Sequence, residues 1–322
     1  MNANRMHLVN RKGQRAISPL PLLVLIALLL AACSASTAPV IKIGLVAPFE
    51  GRYRSMGYEA IYAARLAIRE INAKGGLNRY RIELVTLDDR GDRHMALESA
   101  RKLAIDPQVV AVIGHYRPDS TDAAIETYCA QHVPLVAIES AFPLPDVCRE
   151  RPNVFVLGHA SIERWPDDRL TFVSNVPNPT ELPAAHNFAA AYNAIPIDGT
   201  RAGPIALQTY DAMYLLFDAL SRAGKIDRTG VATAVAAGDF NGLGGHYVFD
   251  PQGNLIDAKI YVYQYGYDGQ PQLITLPQAE WRRRYFLGAS SGSIRAAKAG
   301  RRCGPTNGWS FTKNQGVPTE PS

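Results

Sequence analysis

Apolar positions along the chain fall in short runs, and these alternate with stretches of helical spacing. Val40 to Pro48 (VIKIGLVAP) is almost continuously apolar, as a strand buried on both faces requires. From Gly57 the apolar residues fall at Ile61, Ala64, Ala67 or Ile68, and Ile71, which predicts a helix stopped by the left-handed pair Gly75–Gly76. The alternation then repeats. RIELVTLDD is a second strand, ALESARKLAI a helix, VVAVIGH a third strand, DSTDAAIETYCAQ a helix and VPLVAIES a fourth strand. Strict β-α alternation predicts an α/β fold with a parallel, doubly wound sheet, whose ligand-binding loops lie at the carboxyl ends of the strands.

The second half is less regular. Val154 to Leu157 and Leu170 to Val173 are two short apolar runs, and the dozen residues between them carry no clear element. Leu207, Tyr210, Ala212, Leu215, Ala219 and Leu220 build one helical face. Asp250 to Asn254 has the composition of a hairpin turn.

Both ends of the chain differ from its body. Arg5, Arg11, Lys12 and Arg15 precede the apolar run Pro21 to Ala32, a pattern of export signals and too short for a spanning helix. Leu30-Ala31-Ala32-Cys33 resembles a bacterial lipoprotein signal, which implies lipidation of Cys33 and a tether over residues 33–39; a plain secretory signal cut nearby is the alternative. Residues 1–32 would then be removed. The tail from Pro277 to Ser322 holds eight basic residues against two acidic ones, with no sustained periodicity, and reads as disordered. The formal net charge of +5 therefore belongs to the two ends, and the body between them is acidic. That distribution does not point to nucleic acid. In an exported chain Cys129 and Cys148 are a candidate disulfide, which leaves Cys303 as a free thiol or a mixed disulfide.

The stretch IKIGLVAPFEG…MG…ARLAIREINAKGGL…IELVTLDDRGD…VIGHYRPDST…VPLVAIESAF resembles the amino-terminal lobe of the periplasmic substrate-binding proteins typified by the leucine/isoleucine/valine-binding protein. FAAAYNA, ALQTYDAMYLLFDALSRAGKID and FNGLGGHYVFDPQGNLIDAKIYVYQY resemble the closing part of the second lobe in the same family. The resemblance implies a type I periplasmic-binding fold, with a parallel doubly wound lobe over residues 40–150. It leaves room only for a shortened, incomplete second lobe over 151–276. It also implies an extracytoplasmic, lipid-anchored component of an ABC importer, whose partners are a small solute, an amino acid or a related polar molecule, and a membrane permease complex.

In that family the first lobe grips its ligand from the loops after the third and fourth strands. Here those loops offer Tyr116, Ser120, Thr121, Glu139, Ser140 and Phe142 as candidate ligand-binding residues. Ser120 and Thr121 sit at a helix start, where free N–H groups suit an anion; capping of that helix is the competing role. Tyr116 and Phe142 replace the small or hydroxyl residues usual in the family. Tyr210 and Asp211 read as structural.

Other signals are weak. Gly288-Ala289-Ser290-Ser291-Gly292 fits a nucleophile elbow, but no strand feeds it and no histidine follows it. His94 beside Asp88, Asp89 and Asp92 lacks a second histidine at ligand spacing, so no metal site is expected. No cofactor and no catalytic role are expected. Two further readings compete with transport: a sensing or interaction lipoprotein that has lost it, and a degenerate homologue that binds nothing.

Overall fold

The computed structural model describes residues 38–140, 144–148, 153–158, 171–196 and 201–274. The leader, Cys33, Phe142, most of the junction between the two short apolar runs, and the basic tail lie outside the described residues. The described residues from Pro39 onward form one compact unit.

Its centre is a five-stranded parallel sheet made of β1 (Val40–Ala47), β2 (Arg81–Asp88), β3 (Val109–Ile113), β4 (Leu135–Ala137) and β5 (Val154–Val156), in the order β2-β1-β3-β4-β5. Three helices connect the first four strands: α1 (Arg54–Ala73), α2 (Arg93–Ala104) and α3 (Pro118–Ala130). Gly75 and Gly76, with φ of +98° and +81°, end α1 in the left-handed region that side chains disfavour. The doubly wound α/β arrangement expected from the apolar pattern is the one observed.

Strand side chains alternate between two apolar clusters. Ile41, Ile43, Leu45, Ile113, Val136 and Phe155 face one, and Val46, Val112, Leu135, Ala137, Val154 and Val156 face the other. Helices α2 and α3 pack together and cover the second face with Leu103, Ile125 and Tyr128. The first face is covered by α1 together with two helices from far downstream, α5 (Pro204–Arg222) and α6 (Arg228–Ala236). Helix α4 (His186–Asn193) adds Phe188 and Tyr192 to a third cluster, against Ala63 and Leu66 of α1 and Leu207 of α5.

The second half thus divides. Strand β5 pairs in parallel with β4 through Leu135↔Val154, and α5 and α6 pack on the first sheet, so residues on both sides of position 150 share that sheet. Strand β6 (Thr171–Ser174) is elsewhere, antiparallel to β9 (Tyr261–Tyr265), which in turn pairs with β10 (Pro271–Leu273). The two runs flanking the junction therefore lie in different sheets. A small ladder of β7 (Phe240–Asn241) and β8 (His246–Tyr247) follows α6. Among the described residues no helix is long and apolar enough to cross a membrane.

Arg228 fastens the returning chain to the first sheet. Its Nε donates to the carbonyl of Val109 at 3.0 Å, Nη1 to Gln131 at 3.3 Å, and Nη2 to Ala104 at 2.9 Å and Asp106 at 2.8 Å. One planar cation so satisfies carbonyls at the start of β3 and at the ends of both α2 and α3, where helix dipoles favour positive charge. Replacing Arg228 by Met, which keeps the stem and removes the guanidinium, is expected to cost about 2–4 kcal/mol. A urea titration followed by circular dichroism measures it, and Lys should restore only a minor part.

Candidate functional site

The loops at the carboxyl ends of β1 to β4 converge on a polar, buried centre. Asp88 Oδ1 accepts from the Phe49 amide at 2.8 Å and ties the first loop to the second. Asp89, fully buried, holds His115 Nδ1 at 2.6 Å, and the other ring nitrogen lies 3.3 Å from the Tyr128 hydroxyl. Asp92 caps α2 by accepting from the His94 and Met95 amides. The aspartates after β2 are thus engaged in holding loops, and His94 points instead to Glu98, one turn on.

Five of the six candidate ligand residues are described, and all five are fully buried. Tyr116 sits in the apolar cluster with Ile138 and Phe172, and its hydroxyl meets Thr209 Oγ1 of α5 at 2.8 Å. Burial pushes its pKa well above the phenol range. Thr121 does not cap α3. Its hydroxyl donates to the carbonyl of Glu139, and so links the first turn of α3 to the end of β4. Among the described residues Ser120 Oγ has no hydrogen-bond partner. Ser140 Oγ lies 3.5 Å from Asp122 Oδ1, and its amide donates to the carbonyl of Gly158.

Glu139 reaches across to the small sheet. Its Oε1 accepts from the amide of Val173 in β6 at 2.8 Å, while Oε2 has no partner among the described residues. Burial raises the carboxyl pKa to about 7, against the opposing pull of Arg117 and of the Val173 amide. Arg117 itself stacks on the Tyr53 ring, 4.4 Å from its centroid. Thr171 Oγ1, two residues before Val173, is also buried and has no partner among the described residues. The candidates from the β3 and β4 loops are therefore brought together, but against protein rather than around an open space. A cavity of about 880 Å³ does exist, lined by Arg101, Ile105, Glu126, Gln131 and Val147. It lies at the far ends of α2 and α3, away from the carboxyl edge of the sheet.

Two further buried carboxylates define how the downstream chain is seated. Glu59 of α1 accepts from the Tyr265 hydroxyl of β9 at 2.8 Å and from the Ala206 amide of α5 at 3.2 Å, and its own carbonyl accepts from Tyr192 at 3.2 Å. A Cβ on Gly203 would stand 2.5 Å from Glu59 Oε2, so only glycine lets the start of α5 come this close. Sequence reasoning passed over Glu59, although it shares a helical face with Met56, Ala63 and Leu66, an odd place for an acid. Asp211 accepts from the amides of Leu243 and Gly244 and from the Tyr247 hydroxyl, which makes it a structural clasp on the loop after β7.

The five-stranded order with its convergent loops is the type I periplasmic-binding architecture. The family model for the periplasmic binding proteins matches residues 40–165 and 166–270, so the chain belongs to that family. An amino acid binding protein of Pseudomonas aeruginosa is 35% identical over 88 residues, 27% of this chain and 24% of that protein. The chain thus spans about a quarter of the length of the curated relatives it matches. Among solved structures, the branched-chain amino acid transporter substrate binding protein LivJ from Streptococcus pneumoniae, in complex with isoleucine, superposes with a TM-score of 0.57 at 17% identity, covering 73% of this chain and 99% of that one. A solute binding protein from R. palustris in complex with benzoate gives 0.56 at 15% identity, covering 74% and 96%. These likenesses carry the fold.

Burial raises the Glu59 pKa from an ordinary 4.5 to about 7, against the lowering bonds from Tyr265 and the start of α5. The folded state therefore prefers the neutral acid. Its stabilising contribution is full below the unfolded pKa of ~4.3, declines as pH rises, and is gone above about 7. Glu139 at about 7 and Asp211 at about 6 act in the same direction. Urea midpoints measured from pH 4.5 to 8 should therefore fall with pH. In Glu59→Gln the fall should be shallower by up to one proton, or ~1.4 kcal/mol per pH unit.

Proposed function

We propose that this chain is an extracytoplasmic solute-binding protein of an ABC importer, taking an amino acid or a related small polar solute. The first lobe would span residues 40–150, and a shortened second lobe, whose opening strand β5 adds to the first sheet, would occupy 151–276. Cys33 would carry the lipid that holds the body at the membrane, since several acyl chains together anchor stably. The observation that carries this reading is the family match on both sides of the junction, at 40–165 and again at 166–270. It is supported by the convergence of the β3 and β4 loops at the carboxyl edge of a parallel sheet, where ligands of such folds bind. The Asp89–His115–Tyr128 chain is fully buried, and burial raises the pKa of the Tyr128 hydroxyl, so it supports a structural rather than a catalytic role.

The competing reading is a homologue that no longer binds. The full burial of Tyr116, Ser120, Thr121, Glu139 and Ser140 favours it, because a solute would have to enter a centre already packed against β6 and α5.

Thermal unfolding of the purified chain with amino acids, amides, polyamines and organic acids separates the two. At ligand concentrations of about 100 times Kd a true solute adds ~2.7 kcal/mol, or several degrees. No shift with any compound would leave the non-binding reading standing. For the anchor, Cys33→Ala is expected to release the protein from the membrane fraction and to abolish incorporation of labelled fatty acid. Retention on the membrane without the cysteine would sink lipidation.

A further inference from the structure

The chain enters the fold at the amino edge of the parallel sheet, opposite the candidate loops. The carbonyl of Pro39, the residue before β1, accepts from the Arg81 amide at 2.9 Å, so β1 and β2 begin side by side. Helices α1 and α2 end at this edge, because each feeds the next strand of a parallel sheet. Polar bonds run along it: Lys42 of β1 to Asp106 at 2.8 Å, Asn78 to the Leu220 carbonyl at 3.1 Å, and Arg228 to the carbonyls of Ala104, Asp106 and Val109. A tether over residues 33–39 therefore leads to the amino edge. A chain extends at most ~3.6 Å per residue, so a lipid on Cys33 stays within about 25 Å of it.

This edge displays cations and exposed apolar side chains. Lys74 follows α1, Arg79 and Arg81 lead into β2, and Arg101 and Lys102 lie in the last turn of α2. All five are exposed, and among the described residues none has an ion-pair partner within 4.0 Å. Of the acids nearby, Asp106 and Asp227 are held by Lys42 and Lys225, and Glu83, Glu126 and Asp146 are outnumbered. The dipoles of helix ends favour cations, which accounts for Lys74, Arg101 and Lys102, but Arg79 and Arg81 belong to no helix. Ile105 and Val147, 82% and 49% exposed, line the open cavity at the ends of α2 and α3 together with Arg101.

We propose that the amino edge of the first sheet faces an anionic bilayer. Lys74, Arg79, Arg81, Arg101 and Lys102 meet the lipid headgroups, Ile105 enters the interface, and the carboxyl-edge loops point away from the membrane. This rests on the Cys33 anchor and goes beyond it, since an anchor on a flexible tether sets no orientation. Attraction to charged headgroups reaches only about 8 Å at physiological salt, and so few contacts bind weakly by themselves. The tether makes them sufficient by keeping the edge near the surface at high effective concentration.

The mature lipidated protein, reconstituted on vesicles of phosphatidylcholine alone or in equal parts with phosphatidylglycerol, tests this by amine acylation read by peptide mass spectrometry. Lys74 and Lys102 are expected to react at least about fivefold more slowly on the anionic vesicles. Lys259, just ahead of β9 in the small sheet, should react equally on both. The protection should vanish near 1 M salt, where screening is confined to ~3 Å. Combining Arg79→Glu, Arg81→Glu and Arg101→Glu, all at exposed positions, should abolish it while the circular dichroism spectrum stays unchanged. Equal reactivity of Lys74 and Lys102 on both vesicles, or equal protection of Lys259, would overturn the orientation and leave the anchor in place. Protein that floats with neither vesicle would remove the anchor, and the orientation with it.

Discussion

The structure depends on one constraint: a parallel sheet must be covered on both faces, and the chain up to β4 supplies cover for only one face and part of the other. Helices α2 and α3 close the first of these. On the second, α1 leaves room that is filled by α5 and α6, which begin at Pro204 and Arg228. Whatever the chain does after β5, it must come back to the first sheet. Apolar burial drives that return without choosing its direction, and directed polar contacts choose it. Arg228 reaches four carbonyls at the lower ends of the sheet and its helices, and Glu59 receives the start of α5 at the upper end.

The same logic sorts the buried acids. Asp211 holds a loop through two amides and a hydroxyl, and nothing remains on it to satisfy. Glu59 joins α1, α5 and β9, again with both oxygens used. In both, fixed protein donors offset the desolvation of the charged form only in part, since burial still raises the pKa. Glu139 has one protein donor, the Val173 amide, and burial raises its pKa to about 7, so it too leans toward the neutral acid.

Much of the first lobe could be read from the chain itself, because period-2 and period-3.6 patterns are local. The strand at Val40, the helix stopped at Gly75–Gly76 and the succession up to β4 all follow from such periods. Periodicity marks a face as buried without naming what covers it. That is why the apolar face through Leu207 and Leu215 was legible as a helix, while its seat on α1 and the first sheet was not. The candidate site shows the same division. The loop positions of Tyr116 and Glu139 followed from strand ends, but the partners Thr209 and Val173 lie 93 and 34 residues away. Glu59 did leave a local trace, as an acid inside an apolar stripe. That trace carried no information about Tyr265, 206 residues on.

The brevity of the excursion between β5 and α5 bears directly on how such a site can work. The described part of it supplies β6 and α4, and β9 and β10 join β6 only after the chain has returned to the first sheet. The small sheet is held to the first sheet by the burial of Phe172, Tyr263 and Tyr265 in the cluster that contains Ile138 and Phe155, and by polar bonds from Val173 to Glu139, Tyr265 to Glu59, and Gln208 of α5 to Asn175. Each bond is worth on the order of 1 kcal/mol net, so the apolar burial carries most of the seat. Val173 gives its amide to Glu139 while Phe172 beside it is buried in the apolar cluster, so one directed bond sets the position of β6 and the burial around it holds it there.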